Sequence, residues 1–335
     1  MGYYKKTDIL HKSKLYVGWN DIAQPDKKII ELCKKHNVPN LIVEHGKIAV
    51  SDYQKGRVNT ITQHSQKELI ADNIAVWGEA SREILLESGV DDSKIHVIGS
   101  PVIWDHIYTY KLNDELLNVP FYLGPKNIDP ETGDVWELQH CQSSIPQNEK
   151  RSVVAFFCHH DYTDLGVENN RLIYEEIKDR PDLFVKGTAS YANNRPENPF
   201  KELFDMKVED RATKCIFIDH RAKNNLPFIK ELLKRCKCVV STIPGTINGI
   251  CWAMNVPVIN VDFDWGVRDL DGNRRIEWDD ADYLCELKNL NKTIDFICEN
   301  DHKTELRSLY ADRYMGTSAG NSLKNMLELI DKLSH

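Results

Sequence analysis

Residues 239–263 read VVSTIPGTINGICWAMNVPVINVDF. An apolar strand-like run gives way at Ser241 to a turn carrying Thr242, Pro244, Gly245 and Thr246. A short helical segment follows, and a second apolar run, VPVINVDF, closes the stretch. A buried strand that passes through a tight turn into a helix and on to another buried strand is the repeating unit of a parallel α/β sheet. The turn admits two readings. In one, Thr246 caps the helix and Pro-Gly makes the bend. In the other, the unpaired N–H groups of the helix start, its macrodipole and the Thr242 and Thr246 hydroxyls form a seat for phosphate, with Gly245 letting the backbone approach closely. No Gly-Lys-Ser/Thr follows, so this is not a Walker loop.

The same alternation extends outward in both directions. Towards the N-terminus, KLYVGW, PNLIVEHG, NIAVWG and SKIHVIGSP read as strands. PDKKIIELCKKHN, SQKELIADN and EASREILLESG read as the intervening helices, the last closed by Gly89. Residues 103–148 break the pattern with a Pro-, Gly- and Asn-rich stretch that marks a connection or insertion. Alternation then restarts with RSVVAFFCHH, a helix near ENNRLIYEEIKDR, DLFVKG, KCIFIDH, LPFIKELLKRC and KCVVST, and the tail is helical from 301 to 335. This predicts two α/β domains, 1–148 and 149–335, each with a parallel sheet, facing one another across a cleft.

At 335 residues the chain is long enough for two such domains. A composition 41% apolar and 28% charged places it among soluble globular proteins. No apolar run approaches the roughly 20 residues of a membrane span, and MGYYKKTDILHKSKLYVGW lacks the apolar centre of a secretory signal. Lys6 stands where a myristoylation motif has Ser or Thr. A net charge of −8 argues against a broad nucleic-acid footprint. The nine scattered cysteines form no CxxC pair, which reads as reduced thiols in a cytoplasmic protein and argues against zinc.

Ligands of open parallel sheets bind beyond the carboxyl ends of the strands. Collected there are Glu44, His45 and Gly46; Gly78 and Glu79; Gly99 and Ser100; His159 and His160; Lys186; Asp219 and His220; and the turn from Ser241 through Gly245 and Thr246 to Asn248. The set is rich in His, Gly and hydroxyls and poor in paired carboxylates, which disfavours a carboxylate-dyad glycosidase. His45, beside Gly46, is a candidate base for an attacking hydroxyl, and Glu44 would orient it or replace it. The alternative for His45 is a hydrogen-bonded structural imidazole. His159 and His160 suit donors to a diphosphate or sugar better than a metal site, since no second cluster completes the ligand set. Lys186 would supply a point charge for phosphate; otherwise it is a solvated loop lysine. The polar, aromatic stretch DFDWGVRDLDGNRR at 262–275 would close over a ligand or stay an exposed loop.

AVWGEASREILLESGVDDSKIHVIGSP at 75–101 resembles the strand-WG-helix-Gly-strand-G-x-P segment of the GT-B superfamily. The likeness is nearest to its CDP-glycerol glycerophosphotransferase, capsule-polysaccharide transferase and UDP-N-acetylglucosamine 2-epimerase branches. EHG at 44–46 is similar to the His-Gly strand end of the acceptor domain, and LFVKG at 183–187 to the strand-Lys element of the donor domain. VVSTIPGTINGICWAMNVPVI is similar to the phosphate loop of that domain. The resemblance covers most of 40–101 and 150–262 in the expected order. It departs at three places. Asn248 and Gly249 stand where a ribose-holding glutamate is common, Asn255 where a Gly precedes Pro-Val, and Gly187-Thr188-Ala189 where K-x-H-P would continue.

The resemblance implies two Rossmann-like domains and metal-independent transfer of a sugar or polyol phosphate from a nucleotide-activated donor to an acceptor hydroxyl. The donor, of UDP or CDP type, would be a substrate, and no cofactor is expected. His45 would take the acceptor proton, while Thr242, Gly245, Thr246, His159 and Lys186 would hold the leaving phosphate. A carbohydrate or glycoconjugate acceptor in surface-polysaccharide synthesis follows from the same likeness, and a homodimer stays open. The alternatives are a non-hydrolysing 2-epimerase, a non-catalytic nucleotide-sugar-binding protein and, more remotely, an enzyme that glycosylates modified DNA bases.

Overall fold

A computed structural model of the chain describes residues 12–18, 26–44, 69–87, 89–100, 127–128, 135–136, 151–158, 164–188, 199–206, 214–218, 229, 232–242, 245–263 and 280–335. The chain divides into two units. The first comprises Met1–Asp105, Gly266–Glu277 and Leu309–His335, and the second His106–Trp265 and Trp278–Ser308.

The first unit holds strands β1 (Tyr16–Gly18), β2 (Asn40–Val43), β3 (Asn73–Val76) and β4 (Ile95–Val97) in one parallel sheet, ordered as in the chain. Helices α1 (Asp26–Lys35) and α2 (Glu79–Glu87) belong to the crossovers. Along β3 the side chains alternate. Ile74 and Val76 pack on Ile84 and Leu85 of α2, whereas Ala75 turns to the other face with Leu41 and Ile98. The helix expected over 65–73 does not extend through its described part, where 69–72 lead straight into β3. Asp72 N–H donates to Asn40 Oδ1 at 2.8 Å and the Asn40 amide donates back to the Asp72 carboxylate, so this segment is pinned to β2. Ala71 packs with Ile30 and Ile42, which holds the segment against the sheet from the other side of this bond pair.

The second unit holds β7 (Val153–Phe157), α3 (Asp164–Ile177), β8 (Leu183–Thr188), α4 (Lys201–Asp205), β9 (Cys215–Ile218), β10 (Cys236–Ser241), α5 (Thr246–Ala253), β11 (Val258–Asp262), β12 (Tyr283–Glu286) and α6 (Leu290–Asn300). A short antiparallel pair, β5 (Asn127–Ile128) with β6 (Val135–Trp136), precedes them. The six strands are parallel in the order β12-β11-β10-β7-β8-β9. That is the doubly wound order, and its direction reverses between β7 and β10. One face, carrying Val154, Phe156, Val185, Cys238, Val240, Ile259 and Val261, buries Ile173, Tyr174 and Ile177 of α3 and Leu290, Ile294 and Ile297 of α6. The sequence reading ended the sheet at β11. β12 is four residues with mixed burial and offers no apolar run, but the 290-294-297 spacing of α6 is a helical stripe.

Helix α7 (Thr304–Met315) carries the division between units, and α8 (Ser322–Ser334) follows. Residues 309–335 had been grouped with the C-terminal half, yet they pack in the first unit. Met326 and Leu329 of α8 cover Leu41, Ala75 and Ile98. Ser100 N–H donates to the Met315 carbonyl, Ser322 Oγ to the Ser100 carbonyl and Asn325 Nδ2 to the Ile98 carbonyl, at 3.0, 3.0 and 3.1 Å. A four-stranded sheet needs apolar cover on both faces, and the C-terminal helix supplies the second.

Asn255 explains itself in this setting. It ends α5 in the left-handed region at φ 51°, with Val256 N–H donating to the Cys251 carbonyl at 2.8 Å. Glycine suits such a position best, but Asn255 Oδ1 also accepts from Nε and Nη2 of Arg307 at 2.9 and 2.8 Å. Arg307 is fully buried and also donates to Asp301. Burial alone would raise the Asp301 carboxyl, but the bonds and charge of Arg307 hold it below its ordinary value. Asn255→Gly therefore relieves backbone strain yet leaves the buried Arg307 Nε without its acceptor. A net loss of about 1–3 kcal/mol in urea unfolding is expected, where a strain-dominated site would gain stability.

Candidate functional site

The reversal of strand order puts a crevice at the carboxyl ends of β7 and β10. Register fixes what stands there. Phe157, the last residue of β7, pairs with Lys186 of β8 on one side and with Ser241, the last residue of β10, on the other. Ser241 in turn pairs with Asn260 of β11. Lys186, Phe157, Ser241 and Asn260 therefore form a row on one face of the sheet, opposite the α3–α6 core. Helix α5 lies on that face, because Asn248 reaches Asn260 from it.

Lys186 is partly buried, with its ammonium 5.8 Å from the Phe157 ring centroid, and no carboxylate among the described residues pairs with it. Burial pulls its pKa down, the neighbouring Cys158 opposing slightly. Burial likewise pushes the Cys158 thiol up, so Cys158 is a neutral core residue and not a thiolate nucleophile. Lys186 stands two strands, roughly 10 Å, from the Ser241 row. Such a cation, partly desolvated and without a carboxylate partner among the described residues, is suited to an incoming anion.

Beyond Ser241, Thr242 is 2% exposed, and its hydroxyl has no hydrogen-bond partner among the described residues. Helix α5 then begins. Its N-cap is Gly245, not Thr246, and no side chain caps it from that position. Asn248 N–H donates to the Gly245 carbonyl at 3.0 Å, which leaves the Thr246 and Ile247 N–H groups of the first turn, with the positive end of the helix dipole, as the donors on offer. The Gly245 N–H itself is not among those donors: it donates to Asn248 Oδ1 at 2.9 Å. Asn248, fully buried, donates from Nδ2 to Asp282 Oδ2 at 2.7 Å and to Asn260 Oδ1 at 3.1 Å. Its amide is thus spent inside the protein, holding the turn. Asp282, also fully buried, accepts further from Asn260 Nδ2 at 2.9 Å and from Trp252 Nε1 at 2.6 Å. Asp282 and Asn260 were not singled out in the sequence. A lone Asn inside the buried run VINVD was the signal for Asn260; Asp282, in an acidic stretch before an edge strand, gave none.

In the first unit the strand-end residues serve the fold. Glu44 is buried, and its carboxylate accepts from Trp77 N–H at 2.5 Å and Ser81 Oγ at 2.8 Å, joining β2 to the start of α2. Both oxygens are engaged, which is the geometry of a cap and not of a base awaiting a proton. A Cβ on Gly78 would stand 2.2 Å from the Arg313 carbonyl oxygen. Gly99, at φ 81°, has its Cα 2.7 Å from where a Cβ on Gly316 would fall. Ser100 is fully buried, with N–H and carbonyl both bonded to the C-terminal segment. Gly78, Gly99 and Ser100 are accordingly the seat of α7 and α8. Glu79 is exposed and pairs with Arg82.

His45, Gly46, His159, His160, Asp219, His220, Pro244 and the 264–279 stretch lie outside the described residues. The eight cysteines within them are free, and seven are buried. Among the described residues no group of three His, Cys, Asp or Glu side chains could hold a metal ion, and no helix is long and apolar enough to cross a membrane.

No family model and no curated protein matches the sequence. Solved structures do match in fold. The S. aureus MnaA–UDP co-structure superposes with a TM-score of 0.58 at 13% identity, covering 98% of this chain and 80% of that one. UDP-GlcNAc 2-epimerase from Neisseria meningitidis bound to UDP-GlcNAc gives 0.57 at 15%, covering 96% and 78%. A variant of the wall teichoic acid polymerase TagF with CDPG gives 0.56 at 15%, covering 96% and 72%. These likenesses, together with the two parallel sheets, show that the chain has the GT-B fold.

Proposed function

We propose that the carboxyl edge of the second unit binds the diphosphate of a nucleotide-activated sugar or polyol phosphate, and that the chain transfers the activated group to an acceptor hydroxyl. One observation carries this reading. The topological switch point coincides with a lysine that pairs with no carboxylate among the described residues, a buried hydroxyl without a partner among them, and the start of helix α5. Lys186, Thr242 Oγ and the first-turn N–H groups of α5 would take the charge that builds on the leaving phosphate. His45 is the base for the acceptor in this scheme, and His159 and His160 are further donors.

A second reading is the 2-epimerase reaction, which would act on the donor alone; the fold likeness to two solved structures with UDP or UDP-GlcNAc, one of them a UDP-GlcNAc 2-epimerase, favours it. A thermal-shift series with UDP, CDP, GDP, CMP and ADP tests the shared part. The matching diphosphate should raise the unfolding midpoint, by about 2.7 kcal/mol of stabilisation at a hundred times its Kd. The corresponding monophosphate should do less. No shift with any of them would remove the proposal. Incubation with UDP-GlcNAc in the absence of an acceptor separates the readings, since only the epimerase gives an isomerised product.

A further inference from the structure

The phosphate turn is held from behind. Asp282 stands just before β12, and its carboxylate collects three donors, from Asn248, Trp252 and Asn260. We infer that Asp282 is a positioning residue of the anion seat, acting through the Asn248 amide to lock Gly245 and so aim the start of α5. This rests on the function proposed above for that seat.

An ionised carboxylate only accepts, so the group of Asn248 that faces Asp282 must be its NH2, and its oxygen must then face Gly245. The direction of the Asn248 amide is thereby set by the charge two strands away from the turn. The bond from Gly245 N–H to Asn248 Oδ1 joins a second, from Asn248 N–H to the Gly245 carbonyl at 3.0 Å, and the two close a ring across the first turn. Gly245 has no side chain with which to cap this end, so the ring does that work. The main chain of the network is anchored too: Lys303 Nζ donates to the Asp282 carbonyl at 2.5 Å while standing 4.7 Å from the Tyr283 ring centroid.

The chemistry of a single substitution shows how the lock would fail. In Asp282→Asn one acceptor becomes an NH2. The Trp252 indole is donor only and cannot flip, so it claims the remaining oxygen, and the new NH2 faces the amides of Asn248 and Asn260. If Asn260 turns to accept it, its own NH2 then opposes that of Asn248. Either way the Asn248 amide must turn over, and that places its NH2 against the Gly245 N–H. The N-cap bond is lost, although no residue facing the anion has changed.

The test uses the full chain labelled with 15N-glycine, with the Gly245 amide identified by its absence in Gly245→Ala. In the ligand-free wild type that amide should exchange slowly; in Asp282→Asn it should exchange at least about ten-fold faster, and the Kd for UDP or CDP should rise about ten-fold. Asn255→Gly, at the other end of α5, controls for lost stability: it should lower the midpoint yet leave both readings at wild-type values. Wild-type exchange at Gly245 in Asp282→Asn would overturn the inference, as would equal effects of the two variants. Should the wild type bind no nucleotide, the function proposal fails, while the exchange data still decide whether Asp282 locks the turn.

Discussion

Gly316→Ala is expected to strip the C-terminal segment from the first sheet. Gly316 ends α7 in the left-handed region at φ 68°, and a Cβ there would lie 1.9 Å from the Trp77 carbonyl oxygen and 2.7 Å from Gly99 Cα. Both obstacles are backbone, so no rotamer change relieves them. The helix end must retreat, and with it go the bond from Ser100 N–H to Met315 and the cover that Met326 and Leu329 give to Leu41 and Ala75. A loss of roughly 3–5 kcal/mol follows from left-handed strain plus overpacking. Gly320→Ala isolates the strain term. Gly320 has φ 79° and ψ −134°, a conformation that L residues rarely adopt, but nothing within 4 Å of a built Cβ, so only backbone strain of about 1–3 kcal/mol applies. Calorimetry of the two variants should show the larger drop for Gly316→Ala; equal drops would mean that the close approach is not a stabilising feature.

The second large effect has opposite signs in two measurements. Lys186→Met should leave the ligand-free chain at least as stable as wild type, because it removes a partly desolvated charge that has no carboxylate partner among the described residues. The same change should weaken UDP or CDP binding by about 10- to 100-fold, the loss expected for one charge-assisted bond to phosphate. The pH dependence carries the same sign. A lysine whose folded pKa is depressed binds fewer protons than in the unfolded chain, so its penalty is fully present at neutral pH and relaxes as pH rises through the folded value towards about 10.4. The stability advantage of Lys186→Met should therefore shrink on going from pH 7 to pH 10. If Lys186→Met destabilises the ligand-free chain and leaves nucleotide affinity unchanged, Lys186 is a structural residue.

Why the fold was readable is clear from VVAFF, CVV and VPVINV: parallel strands buried on both faces must be continuous apolar runs, and such runs survive in one dimension. The order of those strands in the sheet does not. Nothing in the residues of β7 states that β10 is its neighbour, and only that pairing makes Ser241 and Lys186 parts of one site. Gly78, Gly99 and Ser100 were collected as ligand-facing because they end strands. Their real partners, Arg313, Gly316 and Ser322, lie more than two hundred residues along the chain, beyond the reach of any local pattern. Asn248 shows a different limit. Its position in the turn was legible, but the direction of its amide depends on Asp282, a contact across 34 residues.

The central claim is that a nucleoside diphosphate sits at the β7–β10 switch point. A crystal structure of the chain grown with the diphosphate that gives the largest thermal shift tests it directly. The phosphate is predicted to lie over the start of α5, within hydrogen-bond reach of Thr242 Oγ and the first-turn N–H groups, with Lys186 Nζ as its counter-charge. A diphosphate bound elsewhere on the chain, with Thr242 and Lys186 still unpartnered, would contradict it.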